Sequence, residues 1–125
     1  MSITHTFTFG HSGGSVSLAD SVAETGALAS EANFTVAGST TNQQEALAWN
    51  NANLKGVYIK SDQTLTLKTN STGSPQDTIT ITGGTPFVWW YGSGIPNPFA
   101  GNVTASFWTN AGTTTANVFC RVLTS

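Results

Sequence analysis

The chain alternates apolar and polar side chains with a period of two residues from one end to the other. At its start, Ile3, His5, Phe7 and Phe9 alternate with threonines. Because successive side chains of a β-strand point to opposite faces, this spacing predicts strands with one apolar face and one threonine face. Threonine, with 21 copies, is β-branched and suits such a pleated, half-buried surface.

Glycine-rich and polar segments separate the alternating stretches at intervals of about 8–12 residues. Clear examples are residues 10–14, 70–75 and 110–112. This spacing predicts an all-β fold, an antiparallel β-sandwich of jelly-roll type with roughly eight to nine short strands. A length of 125 residues suits one domain, which we place at residues 1–125.

Local patterns assign individual strands and turns. Val57 and Ile59 lead into a polar turn at residues 61–63, and Leu65 and Leu67 follow it. Two alternating stretches joined by a short turn predict a β-hairpin.

The last two strands are predicted from their apolar residues. One strand has an apolar face formed by Val103, Ala105 and Phe107. The final strand has Phe119 and Leu123 on one face, and its other face carries Ala116, Val118, Cys120 and Val122. Apolar side chains on both faces predict a strand that is buried on both sides, within one subunit or against another.

Two segments fit more than one conformation. Residues 19–30 are rich in alanine and allow a helical turn, which Gly26 would interrupt. In residues 42–49, Asn42 and Glu45 have the spacing of a helical capping box, but the same segment also alternates as a strand. The β-rich surroundings favour the strand.

Charge is scarce, which limits the partners and the chemistry. The chain has four basic and six acidic residues and a net charge of -2. The basic residues are too few and too scattered to follow a phosphate backbone, so nucleic-acid binding is disfavoured. No apolar run approaches the roughly 20 residues of a membrane helix, and no membrane partner is expected.

The candidate catalytic groups fit structural roles better than chemical ones. Asp62 and Asp77 lie in predicted turns, where aspartate bonds to nearby backbone, and a hydrolase built on them is a third, lower interpretation. His5 and His11 lack the further ligands of a zinc site. Cys120, the only cysteine, alternates with valines and is predicted to be a buried, unreactive thiol. We therefore predict a protein that is not an enzyme and binds no cofactor or metal.

Residues 87–99 form the densest aromatic cluster. On a strand, Trp89 and Tyr91 would face one side and Trp90 the other. The rings could stack on sugars, anchor a protein interface or pack in the core on both sides. The candidate residues for an interface or a stacked ligand are Trp89, Trp90, Tyr91, Pro96 and Phe99. The candidate subunit contacts are Phe7, Phe9 and Phe119.

Several segments of the C-terminal two-thirds resemble one family. They are residues 54–62 (LKGVYIKSD), 65–71 (LTLKTNS), 75–79 (PQDTI), 84–89 (GTPFVW), 97–99 (NPF), 103–104 (VT) and 109–111 (TNA). Over about residues 38–123, the chain resembles small β proteins of tailed bacteriophages and prophages that are taken for virion or head-decoration proteins. Trp90 and Tyr91 extend beyond the usual single tryptophan of that family.

The resemblance implies a sandwich or jelly-roll subunit that forms a homo-oligomer, commonly a trimer, and docks on the major capsid protein or another virion protein. It implies no catalytic residues. We therefore expect a virion structural protein, made in the host cytoplasm, that decorates and stabilises the capsid. The alternative is a carbohydrate-binding sandwich, a lectin or host-adhesion module, that uses Trp89, Trp90 and Tyr91. A surface with few charges does little to prevent association, which agrees with assembly.

Overall fold

The computed structural model describes residues 2–125 and is built almost entirely of antiparallel strands. The ten strands are β1 (Ile3–His11), β2 (Leu18–Gly26), β3 (Leu28–Val36), β4 (Thr40–Glu45), β5 (Leu54–Ser61), β6 (Leu65–Thr69), β7 (Thr78–Ile81), β8 (Phe87–Trp90), β9 (Ser106–Asn110) and β10 (Ala116–Thr124). Two short 3-10 turns lie at Asn51–Asn53 and Tyr91–Ser93. The predicted all-β antiparallel sandwich is confirmed, with ten strands instead of eight or nine.

Strands β3 to β10 form two four-stranded sheets that enclose one core. The front sheet has the order β3-β10-β5-β8, and the back sheet has the order β4-β9-β6-β7. Their inward side chains belong to one buried cluster, in which Val57, Ile59 and Val118 come from the front sheet. Leu67 and Trp108 come from the back sheet. The predicted alternation is therefore present, and it gives each sheet one apolar inner face.

Trp108 is the largest side chain that is fully buried. Its indole N–H donates to the Ser106 hydroxyl at 3.0 Å. That hydroxyl donates in turn to the Glu45 carbonyl at 3.0 Å, which ties β9 to the end of β4. A buried indole N–H without a partner costs free energy, and this bond removes that cost.

The predicted hairpin of β5 and β6 is wrong. Strand β5 pairs with β10 and β8 in the front sheet, whereas β6 pairs with β7 and β9 in the back sheet. The turn at residues 61–63 therefore carries the chain from one sheet to the other. Both strands direct every second side chain into the same core. The two-residue period would be the same if the strands formed a hairpin, so the sequence pattern does not distinguish the two arrangements.

The predicted apolar face of β9 is also wrong. The buried side chains of this strand are Ser106, Trp108 and Asn110. Phe107 points to the opposite, outer face and is half-buried there, while Val103 lies before the strand in an isolated bridge with Trp49.

The first ambiguous segment is almost entirely strand, and the second is strand only in its first half. Residues 19–30 belong to β2 and β3, and Gly26 is the last residue of β2. In the second segment, β4 ends at Glu45, so the preferred strand interpretation is confirmed for its first half.

Candidate functional site

The first two strands form a separate hairpin, which we call the arm, on the outer face of the front sheet. β1 pairs with β2 from Ile3 opposite Gly26 to His11 opposite Leu18. The odd-numbered side chains of β1 face the sandwich, and Thr4, Thr6 and Thr8 on the other face are exposed. The predicted aromatic and threonine faces of this strand are confirmed.

Phe7 anchors the arm to the sandwich. Its ring is buried, with 7% exposure, and lies over Gly56 of β5. A Cβ at Gly56 would lie 3.0 Å from Phe7 Cζ, so a glycine is needed for this close approach. The ring also stacks on Trp90 of β8, with centroids 5.8 Å apart and an interplanar angle of 24°.

Strand β2 is held at two further points. The Glu24 carboxylate accepts the Gly92 backbone N–H at 2.8 Å, which joins the arm to the turn after β8. At the base of the arm, the Ala27 N–H donates to the Thr124 carbonyl of β10 at 2.9 Å. Gly26 lies against Leu123, which is thereby fully buried.

These contacts define the path of the arm. It crosses the front sheet from β10, over Gly56 of β5, to Trp90 of β8, where Phe9 packs with ring centroids 5.0 Å apart. Strand β8 is the edge of the front sheet. Beyond Phe9 the arm therefore has no strand of its own subunit beneath it.

The overhanging part, residues 9–20, is called the arm tip. Every residue from Thr8 to Ser21 is exposed. The exposed fractions are 38% for Phe9, 64% for Val16 and 58% for Leu18. The arm tip thus presents large apolar side chains to solvent on a two-stranded ribbon, a structure that is marginally stable alone.

The arm leaves part of the front sheet bare. We call this area the uncovered half, and its residues are Asn33, Lys60, Asn117 and Phe119. Phe119 is 45% exposed and pairs directly with Lys60 across β10 and β5. The predicted burial of β10 on both faces is therefore confirmed at Leu123 and wrong at Phe119, since the arm covers only the first.

A shallow cavity of about 220 Å³ lies beside Phe119, lined also by Asn33, Phe34 and Thr35. Arg121, at the border of the area, forms an ion pair with Glu31 at 3.6 Å and donates to Asn33 at 2.8 Å. Within residues 2–125, this is the sole ion pair. Lys60 has no such carboxylate partner in that range.

The aromatic cluster of residues 87–99 divides among three environments. Trp89 is 6% exposed, and its indole N–H donates to the Ile95 carbonyl at 2.9 Å. Phe99 is buried too, with its ring edge-on to Trp49. Trp90 is half-buried beneath the arm phenylalanines.

Of the five candidate residues in this cluster, Tyr91 and Pro96 are exposed, and Ile95 between them is exposed as well. Tyr91 is 62% exposed because the chain leaves β8 here in a 3-10 turn, and the Lys55 ammonium lies 3.8 Å from its ring centroid. Tyr91 and Pro96 line a cavity of about 460 Å³ together with Asn51 and Asn97.

Internal hydrogen bonds fix the loop that forms this cavity. The Asn51 side-chain oxygen accepts from Asn97 at 3.0 Å and from the Trp49 indole at 3.3 Å. The Asn51 side-chain amide donates to the Phe99 carbonyl at 2.7 Å. Asn51 and Asn97, two polar residues that line the cavity, are thus bonded within the chain.

The two turn aspartates do not form a catalytic pair. Asp62 precedes β6 and Asp77 bonds to Thr69 at the far end of that strand, so the carboxylates lie at opposite ends of it. The Asn117 side-chain amide, helped by the Asn117 backbone N–H, holds the pKa of Asp62 below its usual value. Asp77 accepts from the Ala100 N–H at 3.0 Å. The predicted bonds to the backbone of their own turns are not what holds these carboxylates, because Asp62 bonds to Asn117 and Asp77 bonds to Thr69 and Ala100.

Cys120 is completely buried in the core. Burial raises the pKa of its thiol to about 12, so the sulfur stays protonated and a poor nucleophile at neutral pH. The predicted buried thiol is confirmed. Over the described part of the chain, no group of three or more His, Cys, Asp or Glu side chains is placed to hold a metal ion.

Sequence reasoning missed Gly56 and Glu24, which hold the arm in place. An isolated glycine within a strand is a sign of close backbone approach, so the contact at Gly56 could have been predicted from the sequence. Glu24 carried none, because its partner is a backbone N–H far along the chain.

No helix among residues 2–125 is long and apolar enough to cross a membrane. The chain matches no protein-family model, no curated protein and no solved structure with which it was compared. The resemblance to phage decoration proteins, the trimer and the capsid partner therefore stay predictions.

Proposed function

We propose that the protein is a structural protein of a phage virion that decorates and stabilises the capsid as a homo-oligomer, with a trimer favoured. It would dock on the major capsid protein or another virion protein. The observation that carries this proposal is the arm tip, where Phe9 is exposed at the edge of the sandwich and Val16 and Leu18 are exposed beyond it. Three large apolar side chains exposed on one protruding hairpin suit a protein–protein contact.

The strand order supports a jelly roll. Of the eight sandwich strands, the first in the chain pairs with the last, the second with the seventh, and so on inward. The pairs are β3 with β10, β4 with β9, β5 with β8 and β6 with β7. This nested pairing, folded into two sheets, is what an eight-stranded ribbon rolled into a jelly roll produces. The fold is used by viral capsid proteins and lectins, so it agrees with the proposal without deciding between the two.

The outer face of the back sheet also suits a crowded shell. Thr80, Thr66 and Thr109 lie side by side on neighbouring strands, and Lys68 is the one charged residue on the adjoining rung. A sheet surface with so little charge does not repel neighbours. Many weak contacts of this kind, repeated over a lattice, give high avidity.

Two measurements on the full chain test this function. Size-exclusion chromatography with light scattering is expected to show an oligomer, with three copies favoured. Co-sedimentation with heads assembled from the major capsid protein of the same genome is expected to show saturable binding. Absence of binding to the heads at micromolar concentration would overturn the capsid role.

A carbohydrate-binding module is the second candidate, and one observation favours it. Tyr91 is exposed beside the cavity of about 460 Å³, and a tyrosine ring there is placed to stack on a sugar. Trp89 and Trp90 are covered, so this site would offer one ring where the sequence suggested three. Binding on a glycan array that Tyr91→Ala abolishes would support it, and an array without binding would overturn it.

A further inference from the structure

We propose that the arm tip of one copy docks on the uncovered half of the front sheet of a second copy. This inference rests on the self-association in the proposed function and names the surfaces that make the contact. Both surfaces lie on the outer side of the front sheet, yet the arm tip cannot reach the uncovered half of its own subunit. Phe7 over Gly56 and Glu24 at Gly92 fix the arm so that its tip points past β8.

The two surfaces have matching apolar groups. The arm side that faces the sheet continues beyond Phe9 to Leu18, which is 58% exposed. On the uncovered half, Phe119 is 45% exposed beside the cavity of about 220 Å³. A leucine or valine side chain entering such a cavity removes its own apolar surface and that of Phe119 from water together.

The two surfaces carry opposite charges, and each charge lies next to an exposed aromatic ring on the neighbouring strand. On the arm tip, Phe9 lies directly opposite Asp20 in the ladder of β1 and β2. On the uncovered half, Phe119 lies directly opposite Lys60 in the ladder of β10 and β5. Each surface therefore pairs an aromatic ring with one charge, negative on the arm tip and positive on the sheet.

Lys60 is the basic group open to such a partner. The other cation nearby, Arg121, is paired with Glu31, and the Asp62 carboxylate is occupied by two hydrogen bonds from Asn117. Opposite charges across an interface fix its register and suppress wrong pairings. The commitment to a second copy follows from this complementarity, because both halves of the contact are on this chain.

The contact joins different surfaces of the two copies, so it is heterologous. Repeated around an axis it closes into a ring, and without closure it continues as a filament. A three-membered ring is the arrangement that agrees with the trimer favoured in the proposed function. In such a ring each arm tip and each uncovered half is occupied once.

The apolar part is tested by two single variants of the full chain. Leu18→Asn on the arm tip and Phe119→Asn on the sheet are each expected to weaken the oligomer by roughly tenfold or more, as for residues central to an interface. The matched control is Ile95→Asn, since Ile95 is 60% exposed but lies on neither surface. Light scattering over a dilution series gives the dissociation constants, and circular dichroism verifies folding of each variant.

The charged part is tested by a swap. Asp20→Lys and Lys60→Asp are each expected to weaken the oligomer, because each places like charges opposite one another. The double variant is expected to recover most of the lost affinity. A general loss of stability would not be reversed in this way, so recovery is specific to the pairing of these two positions.

The outcomes separate this inference from the proposed function. An oligomer with an unchanged dissociation constant in all four single variants overturns the arm contact, while binding to capsid heads would still support the function. A chain that is monomeric at every concentration also overturns the arm contact. Conversely, recovery in the double variant supports the contact even when the protein does not bind heads.

Discussion

The Phe7 ring lies directly over the backbone of Gly56, and a Cβ at that glycine would be 3.0 Å from Phe7 Cζ. This close approach seats the arm on the front sheet. Phe7 is the one buried residue of β1 and β2, so this pair is the central apolar contact of the hairpin, and the hydrogen bonds at Gly92 and Thr124 hold it as well.

Gly56→Val is therefore expected to release the arm and leave the sandwich folded. Valine suits a strand, but its side chain would occupy the space of the Phe7 ring. Hydrogen exchange measured by mass spectrometry should show faster exchange in β1 and β2 and unchanged protection in β6 and β9. Gly73→Val is the control, because a Cβ at Gly73 meets no atom within 4 Å. Full protection of the arm in Gly56→Val would contradict this account.

Removing the central indole should destabilise the whole sandwich. Trp108→Ala is expected to lower the free energy of unfolding by about 3–5 kcal/mol, since it leaves a large cavity at a fully buried site. Trp108→Phe should cost less, because it fills most of the space and loses only the hydrogen bond to Ser106. Urea unfolding with an unchanged m value measures both. Thr80→Ala, on the exposed face of β7, should stay within about 0.5 kcal/mol of the parent protein.

Asn70 is expected to show two separable contributions. Its φ of 69° is left-handed, its side-chain amide donates to the Asn102 carbonyl at 2.8 Å, and its side-chain oxygen accepts from the Thr104 N–H at 2.8 Å. Asn70→Gly keeps the conformation and loses these bonds, which should cost about 1 kcal/mol. Asn70→Ala also loses the conformational preference and should cost about 1 kcal/mol more. Equal thermal-unfolding results for the two variants would show that the backbone angle does not matter.

The Cys120 thiol should make the protein less stable at alkaline pH. In the unfolded chain the thiol ionises near its ordinary pKa of 9.0, while burial raises the pKa to about 12 in the folded protein. Between those values the unfolded state has lost the proton and the folded state has not, so the free energy of unfolding falls as pH rises. The expected loss is about 1.4 kcal/mol per pH unit.

Cys120→Val isolates this effect, because all other titrating groups are shared with the parent protein. The difference in unfolding free energy between the two proteins should be constant below about pH 8 and shift in favour of the variant above about pH 9. Urea unfolding in the presence of a reductant measures it. A difference that is the same at every pH would contradict ionisation of the unfolded thiol as the cause.

The sequence predicted strands well because their two-residue period is a local property. It failed on partnership between strands, as the turn at residues 61–63 shows. A short polar turn reads the same whether it closes a hairpin or crosses between sheets. The pairing of β5 with β8 and β10 makes this turn a crossover, and that pairing depends on residues far along the chain.

The error in β9 has a different cause. Ser106 and Asn110 are polar but buried, and hydrogen bonds to Glu45 and Val36 make their burial possible. Two of the three inward side chains of this strand are polar. The apolar residues Val103, Ala105 and Phe107 therefore suggested that the other set of alternate residues faces the core. The two faces of β1 were predicted correctly, but the overhang of the arm was not predictable, since it depends on where β8 ends the front sheet.

The pairing of β3 with β10 has a consequence for how the molecule is made. These strands meet over nine residue pairs, and Arg121 donates to Asn33 across 88 residues of sequence. The front sheet therefore cannot close before β10 has been synthesised, and contacts of such long range make folding slow. The arm hairpin is local and can form first, but Gly56 and Trp90 are not yet in place beneath it. The arm therefore takes its seat only after β5 and β8 have paired and brought Gly56 beside Trp90, later than its own hairpin can form.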